Sequence, residues 1–164
     1  MKTPKWISAI PQATGHGSGI LQKKLWRLCS DAVRIRDWHQ YKKCVATGDY
    51  ILDWKDSDAG HWRPYSTCNG MFRFDIWNIH MQSKRSNAWG GMKDGYYFGE
   101  ELKRRYGETF LDELEQENRN HISEKLSTDL IVQEMSDILD FMSTLPEQPD
   151  YYARVMKLKY EEGN

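Results

Sequence analysis

A turn-rich stretch from Cys44 to about Asn87 interrupts a chain that is otherwise patterned for helices. Before it, "GILQKKLWRLCSDAVRIRDWHQYKK" repeats apolar residues at helical spacing, with basic residues mostly off that stripe. After it, "YYFGEELKRRYG", "ETFLDELEQENRN" and "STDLIVQEMSDILDFMSTL" predict helices. The last has Thr128 as its predicted N-cap, and its apolar face is predicted to consist of Leu130, Ile131, Met135, Ile138, Leu139 and Met142. This order favours an α+β fold in which a small β element is embedded among helices.

The turn-rich stretch itself predicts an irregular β-hairpin. "TGDY" is a turn signal, "YILDW" a short strand, and "DAGHW" enters a second strand after another turn. The later "FRFDIWNIHMQSKRSN" is expected to be short and part helical. We therefore expect a flexible N-terminal arm at 1–19, one domain at 20–143 whose helical part begins near residue 97, and a tail at 144–164.

Charge is distributed unevenly along the 164 residues. Residues 1–100 contain 15 Lys and Arg against 9 Asp and Glu, whereas residues 101–164 contain 8 against 15. The first part can approach a phosphate backbone, and the acidic second part would repel one. No apolar run is long enough for a membrane helix or a signal peptide, so we expect no membrane partner and a cytoplasmic location.

Five polar residues follow one another in the region between the predicted hairpin and the helices: Asp58, His61, Asn78, His80 and Asn87. A metal-dependent nuclease needs a histidine that takes a proton from water, and a divalent cation with few protein ligands. His61 lies at the end of the hairpin, and Asp58 would face the same cavity if the chain bends at residues 59–60. Asp58 and Asn87 offer hard oxygen donors, which favour Mg²⁺ or Mn²⁺ over zinc.

The same positions also have structural explanations. His61 could be a core histidine whose hydrogen bonds are satisfied by Asp58. Asn78 and Asn87 could be helix caps or turn residues, because asparagine favours both positions.

Residues 20–143 resemble the NinG (Rap) recombination endonuclease family of lambdoid phages, which are branched-DNA nucleases of the HNH class. The resemblance rests on "DAGHWR" at 58–63, "RFDIWNIHMQ" at 73–82, the asparagine that follows at 87, and the helical "ELKRRYGETFLDELEQENRNH". It implies a small ββα-metal (HNH-like) hairpin-helix motif embedded in a mainly helical domain with N-terminal and C-terminal helices.

The resemblance also implies roles for individual residues. His61 would be the general base, and Asn78 would orient or support it. Asp58 and Asn87 would be the metal-site residues, with Mg²⁺ or Mn²⁺ as cofactor.

Four further side chains are candidates for supporting the site or binding phosphate: Arg63, His80, Lys84 and Arg85. His80 is expected to be structural or to face a phosphate. Lys84 and Arg85 either bind phosphate or form a solvated face.

The chain departs from the family at the two C-x-x-C pairs that bind a structural zinc. Cys44 remains of the first pair with Thr47 in the second place, and Ser83 and Ser86 replace the second pair. Hydroxyls are poor zinc ligands compared with thiolates, so we expect no structural zinc. We expect buried aromatic rings to replace it, namely Trp54, Trp62, Phe72, Phe74, Trp77 and Trp89.

The leading prediction is a Mg²⁺-dependent DNA endonuclease that cuts branched, Holliday-junction-like recombination intermediates, in the host cytoplasm if the protein is encoded by a phage. Symmetric cutting needs two active sites, so we expect a homodimer formed through the acidic helical C-terminal half. One alternative is a catalytically degenerate HNH scaffold that binds DNA or protein without cutting. Another is a helical adaptor, which would leave the "DAGH" sequence unexplained.

Overall fold

The computed structural model describes residues 3–163, which form two compact units. One unit is Val33–Lys125, and the other joins the residues up to Ala32 with those from Leu126 onward. The described chain is α+β and mainly helical, as the sequence predicts. All the candidate site residues lie in Val33–Lys125.

Six α-helices account for most of the residues that the structure describes. They are α1 (Ile20–Gln40), α2 (Lys84–Trp89), α3 (Gly91–Tyr106), α4 (Phe110–Asn120), α5 (Thr128–Ser143) and α6 (Tyr152–Gly163). Helix α3 illustrates why they form, since Phe98 and Leu102 lie one turn apart on its buried face. It ends at Tyr106 and is capped by Gly107, whose φ of 109° lies in the region that glycine adopts readily.

The N-cap predicted for α5 is wrong by one residue. The side chain of Ser127 accepts a hydrogen bond from the backbone N–H of Leu130, and Thr128 is already the first helical residue. Ser127 has the extended backbone that an N-cap requires. The predicted apolar face of α5 is otherwise buried, except for Leu130, which is 41% exposed.

The sheet has two antiparallel strands, β1 (Ser57–His61) and β2 (Ile79–Ser83). The predicted hairpin is therefore wrong in its pairing, because "YILDW" is not the partner of "DAGHW". Tyr50 makes only an isolated bridge with Lys43, and the side chain of Asp53 caps a 3-10 helix that ends this segment. The true partner strand lies about 20 residues further on, in the segment predicted to be part helical.

Strand β2 leads directly into α2. Ser83 is the last residue of the strand, and its hydroxyl accepts a hydrogen bond from the Ser86 backbone N–H. This cap allows the chain to turn from strand to helix without a loop. The order β1, β2, α2 brings the asparagine of α2 back beside the first strand.

The core of Val33–Lys125 is built from residues of α3 and α4, of β2, and of the loops before each strand. Phe72 and Phe98 are its largest members, with Met81 and Leu102 beside them. The predicted burial is confirmed for Trp54, Phe72 and Phe74. It is wrong for two aromatic residues, since Trp77 is 45% exposed and Trp89 is 85% exposed.

The second unit contains the segment for which the sequence predicts a flexible arm. There, Lys5–Ala9 forms a 3-10 helix with Trp6 and Ile7 buried. It packs against α6, and the Lys5 backbone N–H donates to the Glu162 carboxylate at 2.8 Å. The tail predicted at 144–164 accordingly contributes a helix to this unit.

Among residues 3–163, none of the helices combines the length and the apolar character needed to cross a membrane.

Candidate functional site

The register of the sheet fixes which site residues share a face. Asp58 pairs with Gln82, Gly60 with His80, and His61 with Ile79. Opposite residues in an antiparallel pair share a face, and successive residues alternate. The pairing is regular from Ser57 to His61, so the chain does not bend at residues 59–60, which was the condition for Asp58 to face the cavity of His61. Asp58 and His61 therefore lie on opposite faces of β1 and do not share the predicted cavity.

Asp58 and Asn87 come together, although 29 residues separate them in sequence. The Asn87 Nδ2 donates a hydrogen bond to the Asp58 Oδ2 at 3.2 Å. Asn87 is exposed on α2, and Asp58 is half-buried on β1. The structure thus pairs the two residues predicted to hold a metal, at a place that solvent can reach.

Gly60 allows this approach of α2 to β1. A Cβ atom at residue 60 would lie 1.5 Å from the Gln82 Oε1 and 2.9 Å from the Asn87 Oδ1. Both distances are below those that real Cβ atoms adopt, so any side chain here would displace its neighbours. Asn87 consequently lies against the residue that immediately precedes His61.

His61 is the last residue of β1 and is half-buried. Its Nε2 lies 2.9 Å from the backbone carbonyl oxygen of Arg73, and its ring packs edge-on against Tyr65 with centroids 5.6 Å apart. A carbonyl oxygen only accepts hydrogen bonds, so Nε2 carries the proton. When the ring is neutral, its lone pair is therefore on Nδ1.

Asn78 is fully buried and holds the backbone just beyond His61. Its Oδ1 accepts from the Arg63 N–H at 2.9 Å, and its Nδ2 donates to the Arg63 carbonyl at 3.2 Å. Its own carbonyl accepts from the Trp62 N–H at 2.9 Å. These bonds join the exit of β1 to the entrance of β2, so Asn78 can position His61 through the backbone.

His80 lies in the core and has no exposed surface. Its Nε2–H donates to the Trp77 carbonyl at 3.1 Å, and its Nδ1 accepts from the Arg36 guanidinium at 2.9 Å. Burial lowers the pKa of His80 even though Asp37 lies beside it, so the ring is neutral. Of the two expectations for this residue, the contacts match the structural one.

Sequence reasoning missed the two residues that surround His80. Arg36 and Asp37 are buried at 3% and 0% exposure, whereas the basic flank of α1 predicts a solvated face. Asp37 accepts from the Arg36 Nε at 2.7 Å and from the Met81 backbone N–H at 2.8 Å. Although burial raises the pKa of the Asp37 carboxyl, the adjacent Arg36 guanidinium holds it well below its usual range. The signal that was available is the adjacent Arg-Asp pair, which follows directly on the apolar residues Val33 and Ile35 of α1.

The three basic candidates differ in their availability to phosphate. Arg63 forms an ion pair with Glu115 of α4, and its Nε donates to the Thr67 carbonyl. Lys84 and Arg85 are exposed on the first turn of α2. Of the three candidates, Lys84 and Arg85 therefore present their charges to solvent, close in sequence to Asn87.

The Asp58–Asn87 pair suits a hard cation that keeps most of its water. Magnesium is often bound by one or two carboxylate or amide oxygens, with water in the other positions. In the part of the chain that the structure describes, no group of three or more His, Cys, Asp or Glu residues could hold a metal ion. The chemistry of this pair fits Mg²⁺ or Mn²⁺ and does not fit a site made only of protein ligands.

The four positions aligned with the zinc ligands of the resemblance still form a hydrogen-bonded cluster. Cys44 is buried, and its sulfur interacts with the Thr47 hydroxyl and with the backbone N–H groups of Thr47 and Ser83. Although burial raises the pKa of the Cys44 thiol, these hydrogen bonds lower it overall. The Ser86 hydroxyl donates to Asp94 at 2.7 Å. Hydrogen bonds therefore join the segments that two C-x-x-C pairs would hold.

The family comparison supports the resemblance. A family model described as "NinG: Bacteriophage Lambda NinG protein" matches residues 16–141, which include every candidate site residue. No curated protein and no solved structure shows significant similarity to the chain.

Proposed function

Because the chain belongs to the NinG family, we propose that it is a metal-dependent DNA endonuclease of the HNH class that cuts branched recombination intermediates. The observation that carries the proposal is the meeting of Asp58 and Asn87, with Asn87 against Gly60, the residue that precedes His61 in β1. Two hard oxygen ligands for a cation and a histidine at the end of the same strand are groups that metal-assisted phosphodiester hydrolysis uses. The order β1, β2, α2 supports assignment to the ββα-metal class.

In this proposal His61 acts as the general base. Its Nε2–H is held by the Arg73 carbonyl, so Nδ1 takes the proton from a water molecule. The water oxygen attacks phosphorus in line, the P–O bond to the leaving oxygen breaks, and that oxygen is protonated by solvent. Asn78 fixes the exit of β1, which limits the movement of the imidazole during this step.

Asp58 and Asn87 would hold Mg²⁺ at the scissile phosphate. When bound, the cation supplies Lewis acidity and neutralises the charge that develops on the phosphate oxygens. Because His61 and Asp58 lie on opposite faces of β1, the phosphate would have to lie across the end of the strand. Lys84 and Arg85 are the exposed cations nearest in sequence to Asn87 and would bind the adjacent backbone.

We further propose that the protein acts as a homodimer. A four-way junction presents two equivalent strands, and a two-fold dimer presents two sites. Helix α4 has acidic residues in its first turn and exposes much of its length, so it would repel DNA and is available to a second copy.

A catalytically degenerate scaffold is the second candidate. Its support is that Asn87 already satisfies Asp58 through a hydrogen bond and that only two ligands converge. On this view the protein would bind branched DNA without cutting it, and Mg²⁺ would not change the outcome.

Incubation with linear, flapped and four-way DNA, with and without Mg²⁺, separates the two candidates. The nuclease proposal predicts Mg²⁺-dependent cutting of the branched substrates by the wild-type protein and by His39→Ala, a matched variant at an exposed histidine. It predicts loss of cutting in His61→Ala. Binding without cutting by the wild-type protein would establish the scaffold instead.

A further inference from the structure

Three large apolar side chains are exposed on consecutive turns of α2 and α3. Trp89 is 85% exposed, Met92 is 95% exposed and Tyr96 is 65% exposed. Met92 and Tyr96 lie four residues apart, on the side of α3 opposite the buried Phe98. We refer to Trp89, Met92 and Tyr96, two aromatic side chains with a methionine between them, as the aromatic ridge.

The ridge differs from scattered surface hydrophobics, which need no explanation. Tyr97, at 50% exposure, borders it and packs edge-on against Tyr96 with centroids 5.6 Å apart. Four of the eleven exposed large hydrophobic residues among those described thus fall within nine positions, 89–97. Concentrated exposure of this kind marks an interaction surface.

The charges around the ridge favour a polyanion as the occupant. Lys84, Arg85 and Lys93 are exposed beside it on the same two helices. Exposed aromatic rings interleaved with cations are typical of surfaces that bind unpaired nucleotides, because rings stack on bases while cations neutralise phosphates.

The ridge also lies within reach of the proposed scission site. Asn87 and Trp89 are two residues apart on α2 and so project from different sides of a short helix. A helix with its side chains is about 10–12 Å across, which corresponds to roughly three steps along a strand at about 3.4 Å per base. A strand cut beside Asn87 would thus present bases to Trp89 about three nucleotides away.

We propose that the aromatic ridge stacks on unpaired bases of branched DNA, about three nucleotides from the scissile phosphate. This inference rests on the proposed nuclease function and names the feature of the substrate that the site selects. A linear duplex keeps the faces of its bases stacked within the helix, so the ridge discriminates against it. A flap or an open branch point exposes those faces.

Affinity measurements in a His61→Ala background test the ridge without cutting the DNA. Fluorescence anisotropy measures the affinity of each protein for flapped, four-way and linear DNA. The proteins compared are the one with the wild-type ridge and the variants Trp89→Ala, Tyr96→Ala and Trp89→Phe. Each alanine variant is expected to lose about tenfold in affinity for branched DNA and less than twofold for linear DNA. Trp89→Phe retains most of the affinity, and so does Tyr50→Ala, a matched variant at a 61% exposed tyrosine.

Three results would overturn the stacking proposal. The first is an equal loss of affinity on all three DNAs, and the second is no loss in either alanine variant. The third is light scattering in which Trp89→Ala converts a dimer into a monomer, which would make the ridge an interface between copies. A protein that binds no DNA at all overturns the nuclease function as well, whereas binding that the ridge variants leave unchanged overturns stacking alone.

Discussion

Two histidines in one small sheet have opposite surroundings. His61 ends β1, is half-buried, and donates one ring N–H to the Arg73 carbonyl. His80 lies on β2 opposite Gly60, has no exposed surface, and has both ring nitrogens in contact with protein groups. His80 thus helps to hold the core, whereas His61 keeps the partial exposure that the proton transfer proposed for it requires. The two histidines differ in burial and in hydrogen-bond partners, so residue type alone does not determine what each side chain does.

The comparison predicts that the His80 region determines stability. Asp37→Asn removes the charge that compensates the buried Arg36 guanidinium, 2.7 Å away. We expect the free energy of unfolding to fall by about 3–5 kcal/mol, because an uncompensated buried charge is costly. Urea unfolding followed by circular dichroism measures it. Asp56→Asn, at an exposed position, is the control and should change it by less than about 0.5 kcal/mol. Equal stability of the two variants would contradict a structural role for the His80 region.

The His61 region should instead determine activity. Asp58→Ala is expected to slow Mg²⁺-dependent cleavage by more than about 100-fold, since losing even a residue that orients a metal ligand costs about 10–100-fold. The free energy of unfolding should change little, because Asp58 is half-buried and its carboxylate accepts a hydrogen bond from the exposed Asn87 amide. Cleavage rates across a Mg²⁺ titration, beside thermal unfolding, provide the measurement. Unchanged cleavage would place the metal elsewhere.

Gly60 adjoins both histidines, as the partner of His80 and the neighbour of His61. Gly60→Ala places a methyl group against Gln82 and Asn87, so we expect a loss of about 1–3 kcal/mol in stability together with slower cleavage. Gly95→Ala is the matched control, because nothing lies within 4 Å of its added Cβ. It should be neutral or stabilising. If Gly60→Ala lowered the stability but left the cleavage rate unchanged, the position of Asn87 against β1 would not be required for activity.

The smallest expected effect is a pH dependence of stability. Burial lowers the pKa of His80, so the unfolded chain binds this proton more readily than the folded chain. The contribution of His80 to stability is fully present above about pH 6.5 and is lost as the pH falls below that value. His80→Gln should reduce the dependence of the free energy of unfolding on pH in this range. The change is at most about 1.4 kcal/mol for each unit by which the pKa of His80 differs between the folded and unfolded chains. His16 and His121 also titrate, so the measurement is the difference between variant and wild type in urea unfolding at pH 7.5 and 5.5. An unchanged slope would mean that His80 titrates normally.

Sequence reasoning predicted the elements whose signal is local. The apolar face of α5 was predicted because it depends only on helical spacing, and the family was predicted because its motifs span short segments. Strand β2 was missed because its polar residues, His80 and Gln82, are buried as well as its apolar ones. Their burial depends on Asp37 and Ser86, which no alternation pattern records.

The sequence also could not predict which face of the sheet each site residue occupies. The meeting of Asp58 and Asn87 requires the register of β1 with β2, and that register places His61 on the other face. The exposure of Trp89 was missed for a related reason: aromatic residues usually lie inside, and only the packing of α2 shows which side of the helix is covered.

Single-turnover cleavage of a four-way junction by the wild-type protein and by His61→Ala, at saturating Mg²⁺, tests the assignment of His61 most directly. Loss of a general base predicts a fall in rate of about 10²–10⁴-fold, with the thermal unfolding midpoint nearly unchanged. A His61→Ala protein that cuts at the wild-type rate would contradict the account.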